Sequence, residues 1–438
     1  MTVIPIKSTG SRFPYKNFVL GMIILQHAFE NYLNWRQMKR LQQNRKIPSE
    51  LKELNISEEE YAKSKEYTRA KLRFEIIHDS FSVLLQVLRI FFLFGPWLWN
   101  LTGKILESYG YDATNEYYRA TLLLILDSLL DKVVDLPFDI YFTFVLEQKF
   151  GFNKNTPLLF IKDEIITLVL KFTLGPLVLC VFLWAVDKGG DYFYIWAEIL
   201  VIVFVFIMLW IYPNFIAPLF NKFTELPDGT LKDALYKLAE KVGFPLKKLF
   251  VCDGSKRSAH SNAYMYGFGN NKRIVLFDTL MNHLEEKQIE GVLCHEIGHW
   301  KRSHTQKQMI MTFIQIFVLF YVYSFFRKEA SIFLDFGYHE ESTFLGLSLF
   351  LMVFSPLQFV FTLVSLKMSR KYEFQADEFA DGLGYGDELI HGLIKIHKEN
   401  LSNLDPDPLY ASFHYTHPTL VERIRHLNAI KTQKAKKE

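Results

Sequence analysis

The segment Cys294-His295-Glu296-Ile297-Gly298-His299 carries the spacing H-E-x-x-H. On a helix, residues i and i+4 share a face, so both imidazoles can reach one Zn²⁺, with Glu296 beside it. A catalytic zinc lowers the pKa of its water to about 7, and a neighbouring carboxylate can take the proton as general base. Ile289, Val292 and Leu293 supply a buried face for the same helix. The pattern therefore reads as a catalytic metal site rather than two stray histidines.

Such a site needs a third protein ligand and leaves the fourth position open. The extended metzincin pattern fails, because Arg302 stands at its glycine position and Thr305 at its last histidine. His304 comes one residue early and reads as a surface histidine at the membrane edge. The favoured third ligand is Glu373, in Glu373-Phe374-Gln375-Ala376-Asp377. Asp377, one turn later, is placed to orient a ligating imidazole. By itself E-x-x-x-D is an ordinary solvated helix face. It gains weight from the upstream motif and from lying on the same side of the membrane.

These residues sit in a chain of 438, half of it hydrophobic, with 41 phenylalanines and only 22% charged residues. That balance excludes disordered, collagenous and small disulfide-stapled classes and points to a membrane protein with sizeable extramembrane parts. A net charge of +3 without a dense basic block excludes a nucleic-acid footprint. Cys180, Cys252 and Cys294 are far apart and read as reduced packing residues.

Seven apolar stretches are expected to cross a bilayer, at 17–35, 81–101, 120–145, 165–186, 192–211, 309–326 and 344–366. The first lacks a small-residue cleavage site and should stay as an anchor. The loop at 36–77 is rich in Lys and Arg, which places it in the cytosol. Parity then puts the zinc domain at 213–308 and the C-terminal part at 367–438 on the cytosolic side, with spans one to five at 1–212 and the last two at 309–366. Within 213–308, Leu231, Leu235 and Leu238 mark an amphipathic helix ended by Gly243. Short strands are expected at 249–252, 263–268 and 274–277, then a helix at 285–304 carrying the motif. A separate helix is expected at 369–383.

In the third span Asp127, Asp131, Asp135 and Asp139 recur every four residues on one helical face. Such a stripe faces a bundle interior or a water-filled cavity, or the helix projects into the cytosol and the stripe is solvated. Pro137 is a site where the span could end or kink. Arg89, Lys171 and Glu198 are further intramembrane ionisable candidates.

Taken together, these residues resemble the type I CAAX prenyl endoproteases over nearly the whole chain. The pieces that carry the resemblance are Val134-Asp135-Leu136-Pro137 with 144–153, Phe220-Asn221-Lys222-Phe223-Thr224, and Asp253-Gly254-Ser255-Lys256-Arg257. The blocks 260–264, 273–280, 295–300 and 373–377 and the pair His417-Pro418 complete it. The resemblance implies a mainly α membrane protein: seven transmembrane helices enclosing a chamber, capped by a cytosolic zincin-like metalloprotease domain. It implies removal of the last three residues after a prenylated cysteine, with a second upstream cut in some members. Residue by residue, it implies His295, His299 and Glu373 as ligands of one Zn²⁺ per chain and Glu296 as general base. It also implies Asn262 on the strand that holds substrate, and His417 and Arg423 as substrate-binding and oxyanion-stabilising groups. Without it, Asn262 reads as a turn residue, and His417-Pro418 with Arg423 as a helix start.

The expected partners are prenylated CAAX proteins or peptides and membrane lipid, with no nucleic acid. The expected location is the endoplasmic reticulum membrane, with the inner nuclear membrane as a second site. The tail at 434–438 places Lys434 and Lys436 at the fifth and third positions from the end, similar to a dilysine retrieval signal, or is a frayed charged end. The connection at 327–343 is shorter than in some members. Two competing readings stay open: a membrane quality-control protease with no prenyl requirement, and a non-enzymatic membrane protein with structural zinc.

Overall fold

The computed structural model describes residues 2–6, 13–43, 46–53, 56–267, 269, 271–327 and 329–436. A short strand β1 (Ile4–Pro5) leads into the long helix α1 (Tyr15–Gln42). After α2 (Ser49–Glu53), helix α3 (Glu58–Phe91) starts on a capping box. The Ser57 hydroxyl accepts from the Glu60 amide and Glu60 accepts back from the Ser57 amide, with Glu58, Glu59 and Glu60 in the first turn. The basic segment expected as a loop is thus largely helical.

The second expected span is not one helix. The chain breaks at Leu93, in left-handed geometry with φ 53°, and restarts as α4 (Phe94–Ser108) at an angle of 67°. Gly95-Pro96 resumes the helix within its first turn, where proline's missing amide costs nothing. Helix α5 (Glu116–Tyr141) runs through Pro137 and widens into a π turn at Phe142–Glu147. Helices α6 (Pro157–Gly189) and α7 (Phe193–Ile211) follow, separated at Gly190, whose φ of 54° and ψ of −126° suit glycine.

Three runs among the described residues are long and apolar enough to cross a membrane: Pro157–Phe220, His304–Phe326 and Thr343–Gly382. The bent α3–α4 pair makes a fourth. Seven were expected. The 64-residue first run contains two of the expected spans, which accounts for one of the differences. Helices α1 and α5 fall short because they carry Gln26, His27, Glu30 and Asn31, or the aspartate stripe. Those aspartates meet basic side chains. Arg89 of α3 lies 2.7 Å from Asp131 and 3.7 Å from Asp127, His78 lies 3.5 Å from Asp135, and Lys132 bonds Asp139 and Glu164 at 2.7 Å each.

After α8 (Ala217–Phe220) comes a four-stranded sheet of β2 (Phe223–Glu225), β3 (Leu246–Cys252), β4 (Ala263–Tyr266) and β5 (Lys272–Phe277), in the order β2-β3-β5-β4. β3 and β5 pair in parallel, with Leu249 opposite Ile274 and Val251 opposite Leu276. β4 pairs antiparallel to β5 and stands at the edge. β2 was not expected, being only three residues long. Phe268 at the end of the strand expected at 263–268, and Asn270 in the connection that follows it, lie outside the described residues. Helix α9 (Thr230–Val242) buries Leu231, Leu235 and Leu238 against the sheet, as its pattern required.

The rest is helical: α10 (Asp278–His283), α11 (Glu286–Lys301), α12 (His304–Phe326), α13 (Ala330–Asp335), α14 (Thr343–Gly382), α15 (Gly386–Glu399), α16 (Pro408–His414) and α17 (Leu420–Ala435). The short β6 (Glu340–Glu341) pairs with β1. The separate helix expected at 369–383 is instead the end of the 40-residue α14, since no glycine or proline interrupts the chain after Pro356. Lys437 and Glu438, part of the expected retrieval signal, lie outside the described residues.

Helix α11 is wedged between α14 and α15 at two glycines. A Cβ on Gly291 would meet the Leu389 amide nitrogen at 2.7 Å, and one on Gly298 would meet Ala376 Cα at 3.1 Å. Backbone cannot yield as a side chain can. Gly291→Ala should therefore cost about 1–3 kcal/mol, seen as a lower unfolding midpoint in detergent. An unchanged midpoint would show that α11 and α15 separate freely.

Candidate metal centre and active site

The i, i+4 spacing on α11 brings His295 and His299 together, with their Nε2 atoms 3.1 Å apart. Glu373, on the cytosol-expected end of α14, meets both: Oε2 lies 3.4 Å from His295 Nε2 and Oε1 lies 3.3 Å from His299 Nε2. One ligand atom from each lies within 4.8 Å of the others. Ligands about 2.0–2.1 Å from a tetrahedral ion stand about 3.3 Å from one another, so these separations suit a divalent metal. Glu373 Oε2 is buried yet accepts no hydrogen bond, an orphaned acceptor at the centre of the cluster. Such an atom is costly unless a cation or donor meets it.

Each histidine is turned by the nitrogen facing away from the cluster. His295 Nδ1 lies 2.8 Å from Asp377 Oδ1, and Asp377 is fully buried. Arg423, on α17, holds the same carboxylate through Nε at 2.9 Å and Nη2 at 2.5 Å. Its Nη1 lies 3.6 Å from Glu373. Burial and the Arg423 charge lower the His295 pKa, but the adjacent Asp377 and Glu373 carboxylates prevail and hold it at about 9.

His299 is oriented by a residue that sequence reasoning set aside. His304 was expected on the surface; it is buried, because Ser303 takes left-handed geometry (φ 56°) and turns it under the Tyr372 ring. Its Nε2 donates to Gln375 Oε1 at 2.9 Å, and its Nδ1 accepts from His299 Nδ1 at 3.1 Å. The His299 Nε2 lone pair is then left for the cluster. A histidine five residues after the motif, just ahead of an apolar run, was the available signal.

The remaining candidates surround this cluster. Glu296 is half-buried beside His295 on α11. His417 is exposed, with Nε2 3.4 Å from Glu373 Oε1. Asn262 leads into the edge strand; its side chain accepts from the Ala263 amide at 2.8 Å and its carbonyl accepts from Phe277 at 3.1 Å. Cys252 and Cys294 are buried free thiols, with Cys294 pushed up to about 12 by burial.

Residues 37–222 match the family described as CAAX prenyl protease N-terminal, five membrane helices, and residues 225–431 match peptidase family M48. A CAAX prenyl protease 1 homolog of Arabidopsis thaliana is 43% identical over 417 residues, covering 94% of this chain and 97% of that protein. CAAX prenyl protease 1 of Saccharomyces cerevisiae is 38% identical over 440 residues, covering 96% and 97%. The crystal structure of S. mikatae Ste24p superposes with a TM-score of 0.89 at 38% identity, covering 96% of this chain and all of that one. The chain is a multi-pass membrane metalloprotease and belongs to the CAAX prenyl protease family of M48 peptidases.

Proposed function

We propose that this protein is a zinc endopeptidase of the endoplasmic reticulum membrane that removes the last three residues after a prenylated cysteine. The observation that carries the chemistry is the convergence of His295 Nε2, His299 Nε2 and the orphaned Glu373 carboxylate beside Glu296. The substrate class follows from the relatives named CAAX prenyl protease 1. The two-nitrogen, one-carboxylate donor set favours zinc. In our reading seven helical segments cross the membrane, with α3 and α4 forming one bent span, and they enclose a chamber. Support comes from cavities between helices: one of about 810 Å³ lined by Gln26, His27, Glu30, Glu75 and Asp79, another of about 530 Å³, mostly apolar, that also takes in Arg89 and the aspartate stripe. The metal cluster and C-terminus face the cytosol.

His295, His299 and Glu373 hold the metal, which when bound polarises the scissile carbonyl and acidifies water. Substrate adds as a strand to β4 beside Asn262, exchanging main-chain hydrogen bonds. Glu296 takes the proton of the attacking water and delivers it to the departing amine. His417 donates to the developing oxyanion. Arg423 keeps Asp377 aligned on His295 and holds its remaining donor toward Glu373.

The test is cleavage of one CAAX peptide in farnesylated and unmodified forms by the detergent-purified chain, before and after chelation. Expected are cleavage after the farnesyl-cysteine, loss of activity on chelation, and its return with zinc. Equal cleavage of both forms would replace the prenyl assignment with a quality-control protease. Activity unaffected by complete metal removal would exclude metal catalysis.

A further inference from the structure

Glu147 closes the π turn after α5 and is buried where the membrane helices meet the peptidase sheet. π geometry of this kind is frequent at functional sites. Tyr67 of α3 donates its hydroxyl to Glu147 Oε1 at 2.6 Å, and His260 Nε2 lies 3.2 Å from Oε2. The His260 ring stacks on Phe152 with centroids 3.9 Å apart. Backbone contacts reinforce the join. Ala259 donates to the Phe152 carbonyl at 3.0 Å, Lys154 donates to Arg257 at 3.1 Å, and Asn153 bridges Ser258. The Arg257 side chain grips Asp163 of α6 at 2.7 and 2.8 Å.

What this join holds is the entry to β4. His260 stands two residues before Asn262, its carbonyl accepts from Thr279 Oγ1 at 3.0 Å, and the next amide donates to Asn400 at 2.9 Å. Tyr67 and His260 also line a cleft of about 590 Å³ that His417 lines from another element. A hydroxyl and an imidazole meeting one buried carboxylate leave its position well determined, since each bond involves an ionised acceptor.

We propose that Glu147 and His260 are positioning residues for substrate: through them the membrane helices set where the β4 edge lies relative to the metal cluster. This rests on the reading of β4 as the substrate-pairing strand.

The experiment uses the full chain in detergent. In a Glu296→Gln background, binding of a fluorescent farnesylated CAAX peptide and of its unmodified form is measured without turnover. Adding Glu147→Leu should weaken binding about tenfold. In the active background KM should rise by a similar factor while kcat changes less than about threefold, as expected when ground-state and transition-state binding are lost together. Metal content should stay at that of the parent. Glu147→Gln still accepts from Tyr67 and still offers His260 a partner, so it should return KM to within about threefold of the parent. His260→Ala should reproduce the loss, and combining it with Glu147→Leu should add little. If Glu147→Leu does not fold, His260→Ala decides. Unchanged binding in the folded variants would overturn the proposal, as would a fall in kcat or metal content with KM intact. Binding of only the unmodified peptide by the parent would remove the prenyl reading, and the variants would still be judged on that peptide. Binding of neither form would overturn both.

Discussion

Glu296→Gln is expected to reduce kcat by at least about a thousandfold while metal content and unfolding midpoint stay unchanged. A positioned general base contributes about 10²–10⁴ in rate, and here one carboxylate serves both proton transfers, so the loss should lie toward the upper end. The substitution is isosteric. Glu296 is half-buried and makes no hydrogen bond to His295, Asp377 or Arg423, so the amide leaves their mutual bonds in place, and Arg423 keeps its two bonds to Asp377 when the Glu296 charge is removed. Turnover of the farnesylated peptide and zinc per chain are measured together. Loss of both would mean that Glu296 supports the site structurally. Activity within about tenfold of the parent would move the base elsewhere, with His417 the next group to test, since it faces the same cluster from α17's approach.

Much of this centre was legible in the sequence, for a local reason. H-E-x-x-H and E-x-x-x-D each state a helical face within five residues, so His295, His299, Glu373 and Asp377 could be paired on paper once a third ligand was required. The alternation and glycine signals likewise located α9, β3 and β5 to within a few residues. What escaped depends on contacts distant in the chain. Nothing near His260 announces Glu147, 113 residues away, and nothing near Asp377 announces Arg423, 46 residues away. His304 was misjudged because its burial follows from one left-handed residue, Ser303, for which serine gives no cue. The bend at Leu93 escaped for the same reason, although Gly95-Pro96 stood beside it. Helical polarity was the other obstacle. α1 turns Gln26, His27 and Glu30 into a cavity shared with α3, and α5 turns Asp127, Asp131 and Asp135 toward Arg89 and His78 of α3, so their spanning character is weak by hydropathy alone.

Asp377→Ala should be the most damaging single change in the domain, acting on stability and metal together. Asp377 is fully buried and receives two donors from Arg423, whose side chain is 6% exposed. Removing one partner of a buried pair leaves an uncompensated charge, at a cost of about 3–5 kcal/mol. The same carboxylate orients His295, and losing such a partner typically weakens metal binding about 10–100-fold. Expected, then, are a clearly lowered unfolding midpoint and weaker zinc retention in chelator competition. The two effects are separable. In Asp377→Leu combined with Arg423→Met, both charges are gone and the volume is roughly kept, so much of the stability should return, as it does when both members of a buried pair are replaced. Zinc affinity should stay low, because His295 Nδ1 still lacks its acceptor. Recovery of both in the double variant would mean that Asp377 serves only to neutralise Arg423, and full retention of both in Asp377→Ala would remove it from the site altogether.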